Sequence, residues 1–303
     1  MNRTFVFSLL LVALVTSAGC GGGASKPAEL PLSVQYQNVL KDPQPETRTR
    51  KLVDVALKQW KASDTGGFST SLSAAEKAAN EVADPAGKAS AICAVAEAYA
   101  KAEKKQDAGR LLKEASKFAD QIGDAIGQLP AKVRIAEVYG QALRDADEAK
   151  ERLAACEKLA ATLEDPVEQT KNTLGIALAY QRAQATDDAE RTITGALSAA
   201  RGLEDVRKRA DVLTAAADTL TKMQRTEPAQ AAFADAEQAA MQIEDPHGRS
   251  HALLNLAKKK VTAGQKADAK KILAAAEEAT KKIGDKSMRL SLQEEIDKAN
   301  SKL

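Results

Sequence analysis

Alanine and aliphatic residues recur along this chain at intervals of three and four, the spacing that gathers side chains on one face of an α-helix. Ala108, Leu111, Leu112, Ala115, Ala119 and Ile122 form one such stripe, with Lys, Arg, Glu and Ser on the remaining faces. The stripes end on an aliphatic residue followed two places later by aspartate. The pairs are Leu40 and Asp42, Val82 and Asp84, Ile122 and Asp124, Leu163 and Asp165, Leu203 and Asp205, Ile243 and Asp245, and Ile283 and Asp285. The aspartates stand 42, 40, 41, 40, 40 and 40 residues apart. A period held over most of a chain predicts a repeat architecture in which each unit buries its apolar face on its neighbours. Asp is a favoured N-cap because its carboxylate accepts free N–H groups of the first turn, and Pro suits the next position because its missing N–H has no partner there. Pro43, Pro85, Pro166 and Pro246 follow in this way, and Glu168 adds the spacing of a capping box to Asp165.

Each Asp-Pro therefore predicts a corner between helical hairpins, and a second corner is expected inside each unit. The polar segments Lys105-Gln106-Asp107, Arg144-Asp145, Thr186-Asp187, Thr226-Glu227-Pro228 and Gly264-Gln265 supply it. Large apolar residues return at one place in the second helix: Leu112, Leu153, Ile193, Phe233 and Leu273. The pattern predicts an all-α solenoid of about six ~40-residue hairpins over 41–284, closed by a charged C-terminal capping helix over 285–303. The first hairpin is the least regular, with a longer joint at 63–70 that Trp60 is expected to seal.

The second helices read Ala108, Leu112, Ala115; Ala149, Leu153, Cys156; Ala189, Ile193, Ala196; Ala229, Phe233, Ala236; and Ala269, Leu273, Ala276. The first helices pair Ala96 with Tyr99, Ala136 with Tyr139 and Ala177 with Tyr180, while Ala217 and Ala257 are followed by Leu220 and Lys260. In these positions the chain resembles the tetratricopeptide repeat (TPR), from about Lys41 onward. The resemblance implies a right-handed TPR-like α-solenoid, though the period exceeds that family's usual length of about 34 residues and also suits HEAT-like repeats. It implies further that the residue after each small first-helix position faces a concave side: Glu97, Glu137, Leu178, Asp218 and Lys258. These do not reproduce the Lys- and Asn-rich clamp with which some family members grip a C-terminal carboxylate. An acidic patch toward the N-terminal half would favour a basic peptide.

Composition supports helices: 44% of residues are hydrophobic but only 3% aromatic, so Ala, Leu, Ile and Val carry the apolar content. The 44 basic and 42 acidic residues leave a net charge of +2, which gives no signal for nucleic acid. The N-terminus has a different character. A basic start at Arg3 and an apolar run from Phe5 to Val15, too short for a comfortable membrane span, predict a signal peptide over 1–19. Ala18, Gly19 and Cys20 resemble a bacterial lipobox, which implies a lipidated Cys20, although Ser17 stands where that pattern prefers Leu. An ordinary signal peptide cut after Ala18 is the other reading. Residues 20–40, rich in Gly with Pro27 and Pro31, read as a flexible linker to the membrane.

Candidate chemistry is sparse. His247 and His251 lie four apart on one predicted helix, but no Glu follows His247 as a helical zinc-protease motif requires, so no metal is expected. Cys93 and Cys156 fall on apolar stripes of different hairpins and read as buried thiols without a disulfide. Residues 86–90 lack the leading Gly and the Ser or Thr of a phosphate loop. The chain is thus expected to be no enzyme and to need no cofactor. It reads as a lipid-anchored interaction scaffold of the bacterial cell envelope with a protein or peptide partner. An enzyme with an unrecognised concave site and a self-associating structural protein are the alternatives.

Overall fold

The computed structural model describes residues 29–303. The predicted signal peptide over 1–19, the lipidation site Cys20 and the first part of the linker lie outside the described residues. Among the described residues there are fourteen α-helices and no strand. A short helix, α1 (Leu32–Val39), precedes six hairpins: α2 (Pro45–Lys61) with α3 (Thr65–Asn80), α4 (Pro85–Lys101) with α5 (Lys105–Ala119), α6 (Ala125–Gln141) with α7 (Ala146–Ala160), α8 (Pro166–Arg182) with α9 (Thr186–Arg201), α10 (Val206–Lys222) with α11 (Thr226–Met241), and α12 (Pro246–Thr262) with α13 (Lys266–Lys281). The last helix is α14 (Lys286–Asn300). Helix α1 occupies positions that the sequence assigns to the linker, and its Tyr36 and Val39 rest against the core.

The corners between hairpins are built as the Asp-Pro pattern requires, with two differences. Asp84, Asp124, Asp165, Asp205, Asp245 and Asp285 are N-caps whose carboxylates accept first-turn N–H groups, for example from Gly87 at 2.7 Å and Gly248 at 2.7 Å. The first corner is different: Gln44, not Asp42, is the N-cap of α2, and Pro45 rather than Pro43 fills its first turn. The interval from Gln44 to Asp84 is therefore the regular 40 residues. At Asp165 the carboxylate accepts from Val167 at 2.9 Å, while Glu168 binds Lys171 at 3.1 Å instead of reaching back as a capping box would.

A second device at these corners has no single-residue signature. Four residues after the N-cap, Arg48, Gln128, Arg209, Arg249 and Arg289 turn back and donate to the carbonyl of the residue two places before the cap. The acceptors are Asp42, Ile122, Leu203, Ile243 and Ile283, at 2.5 to 2.9 Å. At Leu203, Ile243 and Ile283 the aliphatic side chain is buried in the core while its carbonyl, left over at a helix end, gains a donor. Arg209 also reaches Gln242 at 2.9 Å and Arg48 pairs with Glu81, so the same side chain holds the far end of its own hairpin.

Inside each hairpin the chain reverses through one residue in the left-handed region: Ser63, Glu103, Arg144, Gln184, Gln224 and Gly264, with φ between +58° and +79°. The amide after it closes on a carbonyl five residues back, as in Ala185 to Tyr180 at 3.0 Å and Arg225 to Leu220 at 2.9 Å, the wider bond of a Schellman motif. The α6–α7 turn departs from this: Asp145 bonds to Tyr139, six residues back, and Leu143 bonds to Val138. The extra residue of the 41-residue unit therefore lies between Tyr139 and Arg144. The expected long joint at 63–70 is absent, because Asp64 caps α3 and Gly66, Gly67 and Phe68 are already helical. Trp60, 37% exposed, leans on Phe68 with ring centroids 5.1 Å apart.

Each first helix packs on its own second helix, on the second helix before it and on the next first helix, so α2, α4, α6, α8, α10, α12 and α14 form one continuous row. This is the helical-hairpin solenoid that the period predicts. The recurring large residues Leu112, Leu153, Ile193, Phe233 and Leu273 are all buried. Helix α14, the last of the row among the described residues, turns Leu292, Ile296 and Ala299 inward and leaves most of its charged side chains outside.

Candidate functional site

The row of first helices places Glu97 (α4), Glu137 (α6), Leu178 (α8), Asp218 (α10) and Lys258 (α12) at equivalent positions, since each follows the buried alanine of its helix. The charged members do not stand free. Glu97 holds Lys101 at 2.8 Å and also binds Arg134. Arg134 reaches on to Glu137 at 3.3 Å, and the other oxygen of Glu137 accepts from Arg182 at 2.5 Å. Acids and bases therefore alternate across α4, α6 and α8. Farther along, Asp218 holds Lys222 at 2.8 Å and Lys259 at 3.2 Å, and Lys258 pairs with Glu295 of α14 at 2.9 Å. Leu178 is half-buried against the core.

Burial orders these charges by sign. The Glu137 side chain is 9% exposed, whereas Arg134 and Arg182 are 46% and 47% exposed. Carboxylates lie deep and guanidinium groups lie above them, so the expected open acidic patch is a set of ion pairs whose outer members are cationic. For Asp218, burial would raise the carboxyl pKa, but the hydrogen bonds from Lys222 and Lys259 outweigh it and hold the pKa below its ordinary value. Asp211 on the same helix behaves oppositely: burial raises its pKa, with His251, Arg207 and Lys171 opposing. No hydrogen bond or ion pair reaches Asp211 among the described residues.

The sequence contains part of this arrangement. Arg134 with Glu137 and Asp218 with Lys222 are helical neighbours. Arg182 with Glu137 and Lys259 with Asp218 are 45 and 41 residues apart, and their meeting depends on the register between hairpins. The aromatic positions lie deeper. Tyr180 is buried and its hydroxyl lies 3.4 Å from Glu157, Tyr139 lies beneath the Arg152 guanidinium at 4.6 Å, and Lys260 in the equivalent place sets its ammonium 5.3 Å from the Phe233 ring.

His247 and His251 lie on α12, and no group of three His, Cys, Asp or Glu side chains suited to a metal occurs among the described residues. Cys93 and Cys156 are buried free thiols, pushed by burial up to about 12 and about 11. No described helix is long and apolar enough to cross a membrane.

No family model matches the chain, and no curated protein matches it. Among solved structures it is similar to Ton1535 from Thermococcus onnurineus NA1, at 16% identity and a TM-score of 0.47 over 86% of this chain and 94% of that one. It is also similar to BtubC (BKLC) from P. vanneervenii, at 16% identity and a TM-score of 0.37 over 83% and 91% of the two chains. A third is a Rap protein complexed with Competence and Sporulation Factor, at 12% identity and a TM-score of 0.35 over 89% and 80%.

Proposed function

We propose that this protein is a non-catalytic interaction scaffold of the bacterial cell envelope, anchored through a lipid on Cys20 and binding a protein or peptide partner along its row of first helices. The observation that carries the binding role is the continuity of that row from α2 to α14. Stacked hairpins hold their side chains in fixed register, so a partner meets a preorganised surface and little ordering cost is left for the moment of binding. Arg134, Arg182 and Lys222 are more exposed than the carboxylates they hold and form its outer cations, and Lys258 and Glu295 stand equally exposed at its far end. The anchor is supported by the apolar run ending at Val15 and the small residues before Cys20.

The test is crosslinked co-purification from native membranes, comparing the wild-type chain with Cys20→Ser and with Arg134→Glu combined with Arg182→Glu. An envelope protein enriched by wild type, depleted in Cys20→Ser and lost in the double reversal supports the whole reading. Equal recovery of that protein by all three chains refutes both the anchor and the face.

A further inference from the structure

A second surface lies away from the row of first helices. Successive second helices are tied by ion pairs at three junctions: Arg110 to Glu76 between α5 and α3, Lys150 to Asp188 and Arg191 to Glu157 between α7 and α9, and Arg201 to Asp235 between α9 and α11. Between α5 and α7 the polar tie is a hydrogen bond from Arg152 to Ser116 at 3.2 Å. There a cleft of about 1500 Å3 opens, floored by Phe118, Tyr139 and Leu143. It exceeds the roughly 300–1,000 Å3 of small-molecule pockets.

Its charges are unevenly satisfied. Lys105, Lys113 and Lys117 on the α5 wall and Arg144 at the mouth are exposed and have no anionic partner among the described residues. On the opposite rim, Asp145 is occupied as the N-cap of α7 and Glu148 holds Arg152 at 2.8 Å, which leaves Asp147 as the acid without a partner there. Four uncommitted cations thus face one uncommitted acid over an apolar floor. Lys105, Lys113 and Lys117 are spread along about 18 Å of helix at ~1.5 Å per residue, the length of about five residues of extended chain at ~3.4 Å each.

We propose that the α5–α7 cleft binds an acidic peptide segment of a partner protein, with carboxylates on the α5 lysines and an apolar side chain over Phe118 and Leu143. This goes beyond binding along the first helices and does not depend on it.

The test uses the full chain and a fluorescein-labelled octapeptide of alternating Glu and Leu, with a Lys and Leu octapeptide as comparison, read by anisotropy at low ionic strength. Saturable binding of the acidic peptide, weakened about tenfold by Lys113→Glu with Lys117→Glu and unchanged by Lys258→Glu, is the expected result. If the reversal variant loses its helical circular dichroism, Lys113→Ala with Lys117→Ala gives the same reading with about a threefold loss. The inference is overturned if the two peptides bind equally, if neither binds, or if the lysine variants match wild type. A loss confined to Lys258→Glu also overturns it and moves the binding to the first-helix row. Co-purification through Arg134 and Arg182 is scored separately, so either surface can fail without the other.

Discussion

Replacing Gln184 and Gln224 by glycine should stabilise this protein, although glycine usually weakens helical structure. Both residues reverse the chain inside a hairpin at φ +64° and +60°, and both are exposed, so their side chains contribute little packing. A side chain in the left-handed region costs about 1–2 kcal/mol, because Cβ crowds the following carbonyl. Glycine removes that cost but gives back about 0.5–1 kcal/mol through its freer unfolded chain. The net gain is about 0.5–1 kcal/mol per site, and at about 2–4 °C per kcal/mol for domains near this size the pair should raise Tm by roughly 2–8 °C. The sixth hairpin supplies the reverse experiment. Gly264 holds φ +79°, and a Cβ built there meets no atom within 4 Å, so Gly264→Ala adds no clash and by the same two opposing effects should lose about 0.5–1 kcal/mol. Urea melts followed by far-UV circular dichroism, with the m-value checked for constancy, measure both. A neutral or stabilising Gly264→Ala together with a destabilising glycine pair would refute the assignment of strain to these turns.

Glu137→Ala should cost about 0.5–1 kcal/mol in the same melts, because it removes the acceptor that Arg134 and Arg182 share while both guanidinium groups stay nearly half exposed to water and Arg134 keeps Glu97. Arg249→Met should cost about 1–2 kcal/mol by stripping the donor from the Ile243 carbonyl while keeping most of the apolar stem. Asp211→Asn should stabilise at neutral pH, since ionising Asp211 is harder in the native state than in the unfolded chain. A raised native pKa means that the wild-type native form gains as pH falls through it, so the advantage of the neutral amide fades toward acid, which melts at pH 7 and pH 4 distinguish. Cys93 and Cys156, with pKa values near 12 and 11, should resist Ellman's reagent in the native protein at pH 8 and react once urea unfolds it; rapid native labelling would contradict their burial.

The devices that a sequence displays openly are those made by one residue in one place. Aspartate at a helix start has few competing uses beside proline, so six of the seven expected caps stand where the spacing puts them. Asp42 misled because Gln44-Pro45 offers the chain a second start two residues later, and the interval of 42 was the sign of it. The hairpin turns were placed by polarity, but their left-handed residue was hidden, since five of six are not glycine and Ser, Glu, Arg and Gln give no such signal. The arginine latch was hidden for a different reason. Arg209, Arg249 and Arg289 recur in register, yet an arginine on a first turn reads as an exposed charge until the carbonyl it meets is known. Glu97, Glu137, Leu178, Asp218 and Lys258 occupy equivalent places on the row of first helices, but the electrostatics around them depended on partners up to 45 residues away.

The one irregular interval carries the most information about where this solenoid is specialised. Ala149, Leu153 and Cys156 keep the same distances from the Asp145 cap as Ala108, Leu112 and Ala115 keep from Lys104, so α7 packs in register with α5. Tyr139 likewise stands 40 residues after Tyr99, so α6 is in register with α4. With both flanking stripes fixed by the core, an extra residue has no place inside either helix and must be absorbed by the turn, where the closing bond widens from five residues to six. That wider turn carries Leu143, in the floor of the α5–α7 cleft, and Arg144, at its mouth beside the lysines of α5. A repeat that tolerates an insertion at a turn while keeping both stripes has changed its surface without changing its core.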